Sequence, residues 1–242
     1  MQNFWEGTFP VRFSDIDRSD RLTLAAAFDY FQEAAINHAE RIGVGREDMA
    51  RNKQAWILSR MSVVVDRRPS YRENITVRSW PIGAEKLFAL REYDILDSAN
   101  NPVVRGSSGW IVLDMEKHRP LRPQAIMESM PLNKSFATLP GGIVGVDPKE
   151  NLRKSGERQA LYSDIDYNGH VNNTRYIQWI QDILEPEFLE KASHMRLDIN
   201  YLGEVKLGET TELWTVSISD THIAFEGRKQ EQAVFRAELK TM

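Results

Sequence analysis

The 242-residue chain contains no cysteine. Disulfides, thiolate metal sites and a cysteine nucleophile are therefore excluded. It has no run of about 18 apolar residues, which predicts no membrane span. A concentrated basic stretch is also missing. Lys and Arg are scattered, in small pairs such as Arg67-Arg68, and the net charge is −4 with a pI near 5.8. Nucleic-acid binding driven by phosphate contacts is not expected from such a chain. Met1 to Gly7 lack the basic start and apolar core of a secretory signal, and the repeat described below begins almost at once, leaving no room for a transit peptide. The expected compartment is the cytoplasm. Asn172-Asn173-Thr174 fits a glycosylation sequon, but it has no meaning without export. Apolar content of 41% and charged content of 27% are those of an ordinary soluble globular protein.

What the chain does contain is an internal repeat. Ser163-Asp164-Ile165-Asp166-Tyr167-Asn168-Gly169-His170-Val171 aligns without a gap on Ser14-Asp15-Ile16-Asp17-Arg18-Ser19-Asp20-Arg21-Leu22, 149 positions earlier. Downstream, Tyr30-Phe31-Gln32-Glu33 lies against Trp179-Ile180-Gln181-Asp182. A repeat of this length means one fold unit used twice. The differences are informative: Asn168 and His170 stand where the first copy has Ser19 and Arg21. One copy keeps catalytic-type side chains and the other keeps the scaffold.

Each half reads as strand, helix, then several strands. In the first, a short strand is expected over Thr8 to Phe13 and a helix over Leu24 to Ile42. Phe28, Phe31, Ala35 and Ile42 fall near one helical face, and Gly43 and Gly45 end it. Extended segments follow at Trp56–Val65, Ile75–Trp80, Leu87–Leu96 and Val103–Leu113. The second half repeats the order, with a strand at Arg158–Tyr162 and a helix over Val171 to Leu184. Tyr176, Trp179, Ile180, Ile183 and Leu184 form its buried stripe, and Pro186 stops it. Strands are expected at Met195–Tyr201, Glu212–Ile218, Ile223–Lys229 and Ala233–Leu239. Between the halves lies a segment rich in proline, with Gly141-Gly142. These boundaries give a first unit at 1–120, a linker at 121–155 and a second unit at 156–242. The expected class is α+β, each unit a long central helix wrapped by a curved antiparallel sheet. Two such units side by side form one continuous sheet around two helices.

Asp166, Asn168 and His170 alternate at a spacing of two, which in an extended segment puts all three on one face. They precede the helix that begins near Val171 and Asn172, whose free amide groups favour a developing oxyanion. A carboxylate, an amide and an imidazole beside such donors suit hydrolysis of an activated acyl group. Taken singly, each residue has a structural reading. Asn168-Gly169 is a turn signal, Asp166 a helix-start acceptor, and His170 a satisfied structural histidine. The first copy rebuilds the turn without Asn-Gly-His, so the architecture does not need those side chains. Asp15 and Asp17 persist there, so the aspartates serve the scaffold in part.

Asp166-Tyr167-Asn168-Gly169-His170-Val171-Asn172-Asn173, followed by Tyr176 and Trp179, resembles the acyl-ACP thioesterases. The likeness covers nearly the whole chain. It implies two tandem hotdog units and release of fatty acid from acyl carrier protein, without metal or cofactor. It also implies that the second unit supplies the chemistry and that the first supplies an acyl pocket lined by residues such as Trp56 and Met61. Tyr201-Leu202-Gly203-Glu204 matches the position of a further family glutamate, on the strand after the helix. Glu204 therefore joins Asp166, Asn168 and His170 as a candidate catalytic residue, with a solvated turn carboxylate as its structural reading. Plant members carry a cysteine after that glutamate; here Val205 follows, so a cysteine mechanism is removed. Whether Asp166 attacks directly, or Asp166 or Glu204 activates water, stays open, as does a homodimer. The alternatives are an acyl-CoA thioesterase of the same fold and a non-catalytic acyl-binding regulator.

Overall fold

The computed structural model describes residues 3–241. The first half runs β1 (Trp5–Pro10), α1 (Leu24–Arg41), α2 (Arg46–Arg51), β2 (Gln54–Val65), β3 (Asn74–Glu85), β4 (Phe88–Leu96) and β5 (Pro102–Asp114). β6 (Arg119–Leu121) and α3 (Gln124–Ser129) follow. The second half runs β7 (Arg153–Gln159), α4 (Asn173–Asp182), α5 (Pro186–Lys191), β8 (Met195–Tyr201), β9 (Thr210–Ser219), β10 (His222–Lys229) and β11 (Gln232–Thr241). The strands form one 11-stranded sheet in the order β1-β3-β4-β5-β2-β8-β11-β10-β9-β7, with β6 beside β5. The order mirrors about the β2–β8 seam, where Met61 faces Ile199 and Val63 faces Leu197. The doubled hotdog expectation is met: α1 and α4 lie against each other inside the sheet.

Alternation along the strands explains which side faces the helices. On β8, Met195, Leu197 and Ile199 are buried in the core with Phe28 and Phe31 of α1 and Tyr176 and Ile180 of α4. Burying each such side chain contributes about 1.5–3 kcal/mol. The opposite face of the seam carries polar groups, and the segment between the halves straps across it. Leu139 N donates to Glu92 Oε2 at 2.7 Å and Val144 N to Ser62 Oγ at 3.0 Å. Arg196 donates to the carbonyls of Pro140 and Gly142, and Asn200 Nδ2 to that of Val146. This proline-rich segment thus takes its backbone partners from both halves. It also holds β6 and α3, whose Met127 packs with Ile42, Val44 and Ala89.

Local differences from the sequence reading have simple causes. The first strand ends at Pro10 rather than Phe13, and Phe13–Asp15 is a 3₁₀ turn held by the Asp15 carboxylate on Arg12. β1 is an edge strand, which tolerates proline. The strand expected at Arg158–Tyr162 runs Arg153–Gln159, and Tyr162–Asp164 is the matching 3₁₀ turn. α4 starts at Asn173 because Val171 bridges Ile165 and Asn172 is the N-cap, its side chain accepting from Thr174 N at 3.0 Å. Pro186 does more than stop α4: it opens α5 at the first helical position. Among the described residues, no helix is long and apolar enough to cross a membrane.

Candidate active site

Asp166, Asn168 and His170 do not lie on an extended face. They sit on a tight turn, closed by Asp166 N donating to His170 O at 3.0 Å and Gly169 N to Asp166 O at 3.0 Å. The Asp166 carboxylate accepts from Asn168 N at 2.8 Å, the Asx arrangement that lets a carboxylate stand in for a backbone acceptor. Gly169 takes φ +80°, a left-handed conformation that glycine adopts at low cost. The correction has a physical root: Asn-Gly drives a turn, and a spacing of two carries no facing rule inside one.

The first copy builds the same turn bond for bond. Asp17 N donates to Arg21 O, Asp20 N to Asp17 O, and Asp17 Oδ1 accepts from Ser19 N at 2.9 Å. Asp20, at φ +57°, fills the position of Gly169. Ser19 and Arg21 stand in place of the amide and imidazole, and Arg68 takes up the Asp17 carboxylate. Arg68, only 5% exposed, donates to Asp17 Oδ2 at 2.6 Å and to the Leu189 carbonyl at 3.0 Å. Burial pushes the Asp17 carboxyl up, but the Ser19 hydroxyl and the Arg68 charge outweigh it and hold it below its ordinary value. The first-unit turn therefore clamps the two halves.

In the second copy, the loop after β8 lies against the turn. Val171 N donates to Val205 O at 2.8 Å and His170 bridges Lys206, which brings Glu204 beside the turn. His170 Nε2 and Glu204 Oε2 are 3.1 Å apart. Glu204 lies in the loop, three residues beyond the end of the strand on which the resemblance put it. Its side chain is 61% exposed, as a solvated carboxylate would be, yet it has a defined partner. Tyr176 is buried beneath. Burial, and then the charges of Glu204, Glu209 and Asp166, push its phenol up and keep it neutral.

A cavity of about 930 Å³ opens at this turn and runs into the first half. Asp166, Tyr167, Asn168, Asn172 and Asn173 form its wall on the second-unit side, so the N-terminus of α4 borders it. The remaining wall comes from α1, α2, β2, β4, β5 and α3, and includes Trp56, Leu58, Trp110 and Met127. His170 and Glu204 are not in the wall; they stand on the flank of the same turn. Met61 is also absent from the wall, because it points into the closed core at 4% exposure. The sequence reading did not find Arg46, which lies over the Tyr167 ring at 3.9 Å beside the turn, or Arg91, which lines the cavity interior. Neither carries a local motif; only the fold brings them there.

Residues 2–128 match the family model described as acyl-ACP thioesterase N-terminal domain, and residues 149–240 the acyl-ACP thioesterase C-terminal domain. The chloroplastic palmitoyl-acyl carrier protein thioesterase of Cuphea hookeriana is 26% identical over 213 residues, covering 81% of this chain and 50% of that protein. The chain spans about half the length of the curated relatives it matches. An acyl-ACP thioesterase structure from Bacteroides thetaiotaomicron VPI-5482 superposes with a TM-score of 0.87 at 22% identity, covering 99% of this chain and 98% of that one. The 12:0-ACP thioesterase of Umbellularia californica does so at 0.88 and 18%, covering 100% and 98%. At these identities the two structures establish the fold.

Proposed function

This chain belongs to the acyl-ACP thioesterase family, and from that premise we propose that it hydrolyses the thioester of fatty acyl-acyl carrier protein, releasing free fatty acid. The observation that carries the reading is the cavity. It joins a largely apolar interior in the first unit to the Asp166–Asn168 turn of the second. An acyl chain in that interior presents its thioester carbonyl at the turn.

Each group then has a role. The Asn168 side chain and the amide end of α4 receive the carbonyl oxygen as it gains negative charge. Asp166, whose carboxylate is oriented by Asn168 N, takes a proton from water as the water oxygen bonds to the carbonyl carbon. The carbon–sulfur bond breaks with its electron pair on sulfur. His170, held by Glu204, gives a proton to the leaving thiolate, and the proton taken up by Asp166 is lost to solvent, from which His170 is reprotonated. The first unit holds the acyl chain and the second performs the chemistry. Arg46 at the cavity offers a cation to an acidic carrier.

The test is release of free thiol from acyl-ACP and acyl-CoA panels by purified protein. Acyl-ACP is expected to give the higher kcat/KM, with a preference that weakens as salt screens the carrier's charge. A preference for acyl-CoA that salt does not affect transfers the assignment to an acyl-CoA thioesterase of the same fold. No thiol release from either carrier refutes the hydrolase reading.

A further inference from the structure

The cavity that ends at Asp166 has a charged interior. Arg91, on β4, lines it, and β4 stands three strands from β8 in the sheet. At about 4.8 Å per strand, that places Arg91 roughly 14 Å across the sheet from the strand that leads into the catalytic loop. Arg91 is 7% exposed. Its Nη1 donates to His38 Nδ1 at 3.1 Å and to Ser79 Oγ at 3.0 Å, and His38 and Ser79 are both fully buried. Among the described residues no carboxylate pairs with Arg91, although arginines elsewhere, Arg12 and Arg68 among them, do pair with carboxylates. A guanidinium has five N–H donors and cannot shed its charge in a protein. Nη1 is committed to these two neutral partners, and the residue lies in the cavity wall. Burial pulls the Arg91 pKa down, and no negative side chain offsets this, only the nearby Tyr93 phenol.

Apolar side chains in the same wall include Ala35, Val44, Trp56, Ala89 and Met130. An alkyl chain is well accommodated by that wall until its methyl end meets the guanidinium. There it would take water from a charged group and offer no hydrogen bond in return, a loss that a hydroxyl at the same place would avoid.

We propose that Arg91 sets the acyl-chain limit of this enzyme as an electrostatic stop: chains that reach it are rejected when they end in methyl and accepted when they end in an oxygen acceptor. The inference rests on the thioesterase reading above. It makes Arg91 a specificity-determining residue, without contact to the reacting carbonyl. A steric stop of the same size would reject both kinds of chain alike.

Two measurements test it. In the first, wild type, R91M and R91K hydrolyse saturated acyl-ACPs of increasing length. R91M is expected to shift the length optimum to longer chains while R91K keeps it. An R91M profile unchanged in shape overturns the proposal, even where hydrolysis itself is confirmed. The second does not depend on turnover. Fatty acid methyl esters and their ω-hydroxy counterparts are titrated against the fluorescence of Trp56 and Trp110, which line the cavity. At the first length that wild type rejects, the ω-hydroxy ester is expected to bind about tenfold or more tightly than the plain ester. Equal binding by wild type overturns the proposal, whether or not any variant folds and whether or not acyl-ACP is hydrolysed.

Discussion

Glu92→Gln is the most quantitative test of how the two halves are strapped together. Glu92 lies on the outer face of β4 at 2% exposure, beneath the connecting segment. Its Oε1 accepts from the Ser107 hydroxyl at 2.5 Å and its Oε2 from Leu139 N at 2.7 Å. Burial pushes this carboxyl up to about 7; the two hydrogen bonds pull it down and do not prevail, and the Asp94 charge adds to the rise. In the unfolded chain it titrates near 4.5. Between these values the folded protein holds a proton that the unfolded chain has released. Stability from Glu92 is therefore complete below about 4.5 and is lost as pH rises to about 7. At about 1.4 kcal/mol for each pH unit, that interval amounts to about 3 kcal/mol. Glutamine does not titrate. Its carbonyl accepts from Leu139 N, and its amide donates to Ser107 Oγ. Urea unfolding of both proteins at about pH 4.5 and about pH 8.5 isolates the effect. Glu92→Gln is expected to gain about 3 kcal/mol on wild type between the two conditions. A stability difference that is the same at both refutes the claim that Glu92 is buried and protonated beneath the strap.

The asymmetry of the repeat predicts asymmetric kinetics. His170→Ala and Asn168→Ala should each lower turnover by roughly 10²-fold or more, while Ser19→Ala and Arg21→Ala should leave it within a few-fold; equal effects on acyl-ACP hydrolysis in both copies sink the one-site reading. Glu204→Gln keeps the shape of the side chain and removes the charge that holds His170. It should abolish most turnover with acyl-chain binding nearly intact, and a near-normal kcat would leave Asp166 to act alone as the essential carboxylate. Arg68→Met should cost about 1–3 kcal/mol in urea unfolding, because the partly exposed Asp17 carboxylate then loses its charged partner. The double variant with Asp17→Asn should recover part of that loss, and no recovery would mean that Arg68 acts through packing alone.

Much of this protein was legible in its sequence because the signals were local and doubled. The helical stripe of Phe28, Phe31 and Ala35 and the strand at Met195–Tyr201 follow from periodicity, which depends on nearest neighbours along the chain. The repeat further implied two equivalent turns, and they share their hydrogen bonds. Asp166, Asn168 and His170 could be chosen because the first copy supplied an internal control. Tertiary structure decided the rest. No spacing rule joins Glu204 to His170, since their 3.1 Å approach depends on Val171 pairing with Val205. Nothing in the sequence around Arg68 or Arg91 says that one is spent on the degenerate turn and the other faces a cavity. The proline-rich segment reads as a linker until buried Glu92, Ser62 and Asn200 supply its hydrogen-bond partners from both halves. Local propensity fixes what each segment becomes. Which distant charges and amides meet is set by the requirement that buried polar groups find partners once the sheet has closed on its helices.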